Sequence, residues 1–356
     1  MNVMKNYLII GTYPEKGSKN IGDKLITESV IKGMSSVDPG CKCEVVFRAD
    51  SWSNVQAKVK KADHIIFACL AVRYDLEKVV YPFIRNVVDS KTPYSVISSG
   101  TSLLVSESED IYAGLDKATI KLLLKMDEEA FLFSSRGVLT QFLFSYLGMK
   151  NAMLDGDVAF YSPERQGLSF RVGDKKVRKI IISDPHYASS YIESFIVLYS
   201  GVVSIFPMAD VEVCLHGINP DVENFCIENG LKCNKIYELN NGLNVYDSCD
   251  LHIGYRVHAH VSALSRRKFS YLIEQDGRGA DYGATITRKI SQPCYVGNGG
   301  NGGNGGKGVN VSAIYQLLAI LYKDKESGFI QFSGLEKQID KFSMAAHDAF
   351  CKIASA

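Results

Sequence analysis

Short apolar runs alternate with longer amphipathic stretches along most of the chain. The runs Tyr7–Ile10, Cys43–Phe47, His64–Leu70, Tyr94–Ser99 and Phe131–Ser134 are rich in Ile, Val and Phe and bounded by polar residues. Each predicts a buried strand. Helical patterns fall between them, at Lys24–Met34 and in a run ending Tyr146-Leu147 that Gly148 stops. A second series starts at Lys179–Ser183 and continues through Val202–Phe206, Val211–His216, Lys235–Leu239, Leu251–Tyr255 and Phe269–Ile273. Strands that alternate with helices predict parallel sheets. Between the two series, about Ser162 to Lys179 is polar and basic, with Pro163, Gly167 and Gly173, and reads as a linker. The division is then residues 1–165, residues 175–310, and helices in 311–356 (Val311–Tyr322 and Leu335–Ile353) that are free to pack back on the first domain. Gly297–Gly308 is low in complexity and predicts a loop; it lacks the GxxxxGK[ST] spacing of a phosphate loop.

Parallel sheets bind ligands at the carboxyl ends of their strands. That rule makes Asp250–Asp281 the most informative stretch. Its first strand ends at Gly254-Tyr255, and Arg256 and His258 stand where the helix Val257–Ser265 begins. An arginine fork, a titratable imidazole and a helix N-terminus converge there, which suits a small anion. His260 belongs to another side of that helix and His252 to the strand, so both read as structural. The strand Phe269–Ile273 leads into a charged, glycine-rich turn, Glu274-Gln275-Asp276-Gly277-Arg278-Gly279. In the first half, Arg136 follows Ser134-Ser135 at a strand end. Asn20-Ile-Gly-Asp23 precedes a helix, where Asn20 or Asp23 can cap and Gly22 admits close backbone approach. Asp155-Gly156-Asp157 and Asp184-Pro185-His186 also follow strands. Glu107, Glu109 and Asp110 read as a solvated face.

Composition narrows the field. A chain of 356 residues fits two domains. A formal net charge of +1 carries no footprint for nucleic acid. No apolar run reads as long enough to cross a bilayer, and the start lacks a signal-peptide pattern. Nine cysteines scattered through apolar stretches suit a reducing compartment with buried thiols. Cys41 and Cys43 are the close pair, and nothing nearby supplies the other ligands of a metal site.

Four pieces occur in a telling order: Asn20-Ile-Gly-Asp23 before a helix, Ser135-Arg136 before a helix ending Leu147-Gly148, Gly156-Asp157, and Gly254-Tyr255-Arg256-Val257-His258-Ala259. In these the chain resembles the polysaccharide pyruvyl transferases, over about residues 7 to 290. The resemblance implies an α/β fold of two Rossmann-like domains facing a central cleft, GT-B-like, with the acceptor on the N-terminal side and the donor on the C-terminal side. It implies phosphoenolpyruvate as donor and a sugar of a surface polysaccharide, or its lipid-linked oligosaccharide precursor, as acceptor. Arg136, Arg256 and His258 map onto the family's anion-binding and catalytic positions, with His186 and Glu274 joining them on the donor side. Asn20, Gly22, Asp23 and Asp157 fall on the acceptor side. One departure stands out: Gly277-Arg278 occupies the place where the family often has an aspartate and a lysine.

Ketal formation from phosphoenolpyruvate protonates the methylene carbon, lets a sugar hydroxyl attack C2, expels phosphate and closes the ring with a second hydroxyl. His258 suits the acid, and the two arginines suit the carboxylate and phosphate. Asp23, Asp157 and His186 all remain candidates for the base. The scheme needs no metal and no cofactor beyond phosphoenolpyruvate as co-substrate. It places the protein in the cytoplasm and leaves peripheral contact with the inner membrane face, and the oligomeric state, open. Two other readings stand beside it. One is a nucleotide-sugar glycosyltransferase with Glu274 on a ribose; the other is a carbohydrate-binding member that has kept the fold without the chemistry.

Overall fold

A computed structural model describes residues 4–15, 17–103, 114–174, 176–296 and 308–356. The acidic Glu107, Glu109 and Asp110 and the tract 297–307 lie outside the described residues.

The first sheet contains β1 (Asn6–Gly11), β2 (Lys42–Phe47), β3 (His64–Ala68), β4 (Ala71–Val72), β5 (Tyr94–Thr101), β6 (Leu132–Ser135) and β7 (Met153–Leu154). Their order is β2-β1-β3-β5-β6-β7, with β4 on β5, and every pairing is parallel. Helices α1 (Ile21–Val37), α2 (Trp52–Val59), α3 (Ile84–Asp89), α4 (Lys117–Glu129) and α5 (Val138–Leu147) connect them. β3 and β5 are buried along their whole length, which is why they read as unbroken apolar runs rather than alternating ones.

The second sheet contains β8 (Lys179–Ser183), β9 (Asp210–Leu215), β10 (Cys233–Lys235), β11 (Leu251–Gly254), β12 (Phe269–Glu274) and β13 (Ser291–Pro293), in the order β10-β9-β8-β11-β12-β13 and again parallel. Its helices are α6 (Ala188–Ile205), α7 (Pro220–Glu228), α8 (Val257–Ser265), α9 (Gly277–Thr285) and α10 (Ser312–Ser327). The last helix, α11 (Leu335–Ser355), returns to the first domain. Its Phe350 packs on Gly33 of α1 and edge-on to Tyr161, and Lys5 donates to the Ala354 carbonyl at 2.9 Å.

Four expectations fail. Val202–Phe206 is the end of α6 and not a strand; its Val202 continues the helical stripe of Tyr191, Phe195 and Leu198, which the core buries, while Val203 is exposed. Cutting that run in two also hid its length: α6 is long and apolar enough, by length and composition alone, to cross a membrane. Lys235–Leu239 keeps one strand residue and then turns into a short 3-10 helix. Gly277-Arg278-Gly279 is the first turn of α9 rather than a loop, because Asp276 caps it through the Arg278 N–H at 2.9 Å.

The domains meet with the carboxyl ends of both sheets turned inward. Backbone bonds cross the boundary from Ile21 to His216 O at 2.9 Å, from Ile218 to Ser18 O at 3.1 Å and from Gly277 to Ser102 O at 3.2 Å.

Candidate active site

Between the domains lies a small cavity of about 90 Å³, lined by charged and polar groups from both sheets. On the C-terminal side it opens where the strand order reverses, between β8 and β11. β11 ends at Gly254 with φ +151, and a Cβ there would fall 2.5 Å from Ser183 O, so the strands close up as they do only with glycine. Arg256 follows at the N-cap of α8. Its Nε and Nη2 reach the two carboxylate oxygens of Asp184 at 3.0 and 2.5 Å, and its Nη1 meets His186 Nδ1 at 3.0 Å. Asp184 is fully buried and also accepts from the His216 N–H at 2.9 Å and Asn219 Nδ2 at 2.7 Å. It fixes the guanidinium plane and leaves one face of the fork for a ligand. The surrounding protein first, then the charges of Arg278 and Arg256, push His186 down to about 3, although its ring is solvent-exposed and water tempers that shift. His186 is thus a neutral acceptor to Arg256 and a poor base.

On the N-terminal side Arg136 follows β6. It is 6% exposed, and no carboxylate lies within ion-pairing distance among the described residues. Its contacts are weak: Cys69 Sγ at 3.6 Å, the Thr101 carbonyl at 3.5 Å and the Tyr282 ring face at 5.6 Å. Its Nε is buried without a partner. Burial opposes its charge, but its neighbours, Asp157 and Asp281 among them, outweigh burial and favour the charge, and the unpartnered Nε leaves its fork open to an anion.

His258 sits between the domains. Its Nε2 lies 3.6 Å from Asp157 Oδ2, and that oxygen also accepts from the Tyr282 hydroxyl. The other Asp157 oxygen accepts from the Ala159 N–H at 2.7 Å. Burial alone would raise Asp157, but His258, Arg136 and Tyr282 outweigh it and hold the carboxyl below its ordinary range. Gly22 closes the other side: a Cβ there would fall 2.8 Å from His258 Cβ and Nδ1.

Arg136, Arg256, His258, His186, Asn20 and Asp23 all line this one cavity. Asn20, not Asp23, caps α1, through the Gly22 N–H at 3.2 Å, and its amide donates to Asp23 Oδ2 at 3.1 Å. Gly22 and Asp157 stand behind His258 rather than on the cavity wall. Glu274 is misplaced by the sequence reading: it is fully buried, ion-paired with Arg288, and absent from the wall. Period two explains this, since Glu274 and Gln275 point to opposite sides and Gln275 takes the cleft. Arg48, Arg73 and Arg278 also line the cavity and were missed, as was the Asp184 tether. Arg48 and Asp184 each directly follow a strand, so the rule that singled out Arg136 marks them equally. The wall carries further buried polar atoms without partners: Thr12 Oγ1, Ser102 Oγ, His216 Nδ1 and Gln275 Nε2. Such atoms are rare in a finished core and common where a ligand completes them.

A family model described as polysaccharide pyruvyl transferase matches residues 20–274. No curated protein matches the chain. Among solved structures, a UDP-GlcNAc 2-epimerase from Neisseria meningitidis bound to UDP-GlcNAc aligns with a TM-score of 0.57 and 11% identity, covering 99% of this chain and 100% of that one. The spinosyn rhamnosyltransferase SpnG aligns at 0.53 and 9%, covering 99% and 100%. The wall teichoic acid polymerase TagF aligns at 0.51 and 13%, covering 99% and 89%. At these identities the likeness is one of fold, and that fold is GT-B.

Proposed function

This chain belongs to the polysaccharide pyruvyl transferase family, and we propose that it moves pyruvate from phosphoenolpyruvate onto a sugar, forming a ketal. The observation that carries the reading is Arg136, a buried cation with no ion pair among the described residues and an unpartnered Nε, facing the same cavity as Arg256 and His258. Together they offer a carboxylate and a phosphate two guanidinium groups and one proton donor.

The chemistry balances on these groups. His258, as imidazolium, gives a proton to the methylene carbon of the donor, and C2 becomes cation-like. A sugar hydroxyl bonds to C2 and gives up its proton. A second hydroxyl then bonds to C2 as the C2–O bond to phosphate breaks. Of the two hydroxyl protons, one restores His258 and the other leaves with phosphate. Asp23 is the wall carboxylate that no arginine holds, so it is assigned as the base. Asp157 is occupied behind His258 and His186 is held too acidic, which leaves both unsuited to that role. The acceptor is a sugar of a surface polysaccharide or of its lipid-linked precursor. Nine free cysteines suit work in the cytoplasm, at its membrane face where the precursor is lipid-linked.

The nucleotide-sugar reading loses its anchor, since Glu274 does not face the cleft. The deciding assay is phosphate release from phosphoenolpyruvate with galactose-, mannose- and glucosamine-containing acceptors. Release is expected only with both substrates present and is abolished in His258→Ala. Thermal stabilisation by UDP- or GDP-sugars with no response to phosphoenolpyruvate would overturn the reading.

A further inference from the structure

Tyr282 lies off the cavity wall, yet it touches two first-domain groups that shape the site. It belongs to α9 of the second domain and is 3% exposed. Its ring covers the Arg136 guanidinium, with Cζ 5.6 Å from the ring centroid, and its hydroxyl donates to Asp157 Oδ2. Arg136 directly follows β6 and Asp157 lies just past β7, so one side chain of the second domain holds two residues of the first. A tyrosine can do both, because it offers a π-face to a cation and a hydroxyl to a carboxylate. Burial first, then Asp157, raises the phenol well above its ordinary range, so it stays a donor.

Each contact does something that no other group does. Arg256 takes its direction from the two oxygens of Asp184. Arg136 has no such tether, and its polar contacts at 3.5 and 3.6 Å are too long to aim it. Packing aims it instead. A Cβ on Gly100 of β5 would collide with its Nε and Cζ and fall 2.7 Å from Nη2, and the Tyr282 ring lies over the same guanidinium. At Asp157, Oδ1 is spent on the Ala159 N–H at 2.7 Å, and the Tyr282 hydroxyl takes Oδ2, the oxygen that faces His258. His258 Nε2 stands 3.6 Å from that oxygen, buried and without a hydrogen-bond partner. Without the hydroxyl, Oδ2 would be a buried acceptor short of a donor, and His258 Nε2 is within reach to become it.

We propose that Tyr282 is a positioning residue that acts across the domain boundary. Its ring sets the plane of Arg136 for the anion of the donor. Its hydroxyl occupies Asp157, so that the carboxylate does not close on His258 and draw the imidazole away from the donor. This deepens the pyruvyl-transfer reading of the same cleft and rests on it for the identity of the donor.

Two variants of the full chain separate the ring from the hydroxyl. Tyr282→Phe keeps the ring; Tyr282→Leu removes both, and Tyr282→Met, which adapts to irregular space, replaces it where melting temperatures show that the leucine chain does not fold. Phosphoenolpyruvate is titrated calorimetrically, phosphate release gives kcat, and downfield proton NMR reads the imidazole. Tyr282→Phe keeps the donor Kd within twofold of wild type and lowers kcat at least tenfold, a split that a general loss of structure does not produce. It also brings up an imidazole N–H resonance of a carboxylate-bonded histidine, absent from wild type and removed again by adding His258→Ala. The leucine or methionine variant raises the donor Kd at least tenfold as well. An unchanged Kd in that variant overturns the role of the ring. An unchanged kcat or no new resonance in Tyr282→Phe overturns that of the hydroxyl. Equal losses of affinity in both variants mark a merely structural tyrosine and sink the proposal. The resonance needs no substrate. If phosphoenolpyruvate fails to bind wild type, pyruvyl transfer is defeated, and inorganic phosphate replaces it as the probe of Arg136. A wild-type chain that binds neither overturns the role of the ring too.

Discussion

Gly22 and His258 meet across the domain boundary with no room for one more carbon. A Cβ on Gly22 would fall 2.8 Å from His258 Cβ, an atom that cannot swing aside as a side-chain tip can. Asn20 holds Gly22 in place by capping α1 at its N–H, so both parts of the Asn20–Asp23 motif bear on the imidazole.

Gly22→Ala is therefore expected to shift His258 or spread the domains. Overpacking of this kind costs roughly 1–3 kcal/mol. Phosphate release should fall at least tenfold while phosphoenolpyruvate still binds through Arg136 and Arg256. Urea unfolding and a donor titration check both parts. Full turnover at an unchanged midpoint would mean that the contact is slack.

Arg136 carries a prediction for both stability and binding. It makes no ion pair among the described residues, and burial opposes its charge, but its neighbours, Asp157 and Asp281 among them, outweigh burial and favour the charge. Arg136→Met should lower the stability of the empty protein by about 1–3 kcal/mol, since it strips buried groups of the charge that offsets them. Donor binding should vanish. Arg136→Lys should not restore it, because an ammonium lacks the planar fork. An Arg136→Met chain that still binds donor in a calorimetric titration would contradict the role.

Asp281 supplies the cap that α5 lacks. Gly137 at the N-cap has no side chain to offer, and Asp281 of α9 reaches across to take the Leu139 N–H at 2.8 Å and the Thr140 hydroxyl at 2.6 Å. α5 begins two residues after Arg136, so the cap also sets where that arginine points. Asp281→Ala should cost about 1–2 kcal/mol, as lost caps do. It should also raise the phosphoenolpyruvate KM, although Asp281 is not on the cavity wall. Asp281→Asn, which keeps one acceptor, should recover part of both losses in unfolding and kinetic measurements.

Three of the four family motifs were legible because they lie just past a strand end, where pattern and chemistry coincide; Asn20–Asp23 instead opens α1. Arg136 follows β6 directly, Arg256 and His258 come two and four residues after β11, and the fold brings them to one cavity. Glu274 was misread because a strand's last residue can face either way, and the sequence does not show which side the second domain covers. α6 was misread because Val202 and Val203 favour strands by propensity while the stripe that Val202 continues is helical. Asp281, Tyr282 and Gln275 carry no signal in sequence. Their roles arise only when α9 is laid against α5 and the cleft, which is a tertiary event.

Acid should weaken the fold through its buried histidines. His260 bonds Ser270 Oγ at 2.7 Å through Nδ1, and burial holds it down to about 3. Burial, helped by Lys5, holds His64 down to about 4. Unfolded, each titrates near 6.5. Below that pH the unfolded chain takes up protons that the folded chain refuses, so stability falls as pH falls. The window runs from about 6.5 to about 4 for His64 and to about 3 for His260. Each histidine contributes a slope of about 1.4 kcal/mol per pH unit there. Asp157 and Asp276 are held low instead, so their stabilisation is present above the ordinary carboxylate range and is lost only below it. Burial raises Asp155, Glu274 and Asp324 and gives them the opposite sign as pH falls, so the comparison of variant with wild type isolates the histidine. Urea unfolding of His260→Gln between about pH 6 and 4.5 should show a slope smaller by about 1.4 kcal/mol per unit than that of wild type. Parallel slopes would mean that His260 is already charged in the folded protein, and that its bond to Ser270 does not hold it neutral.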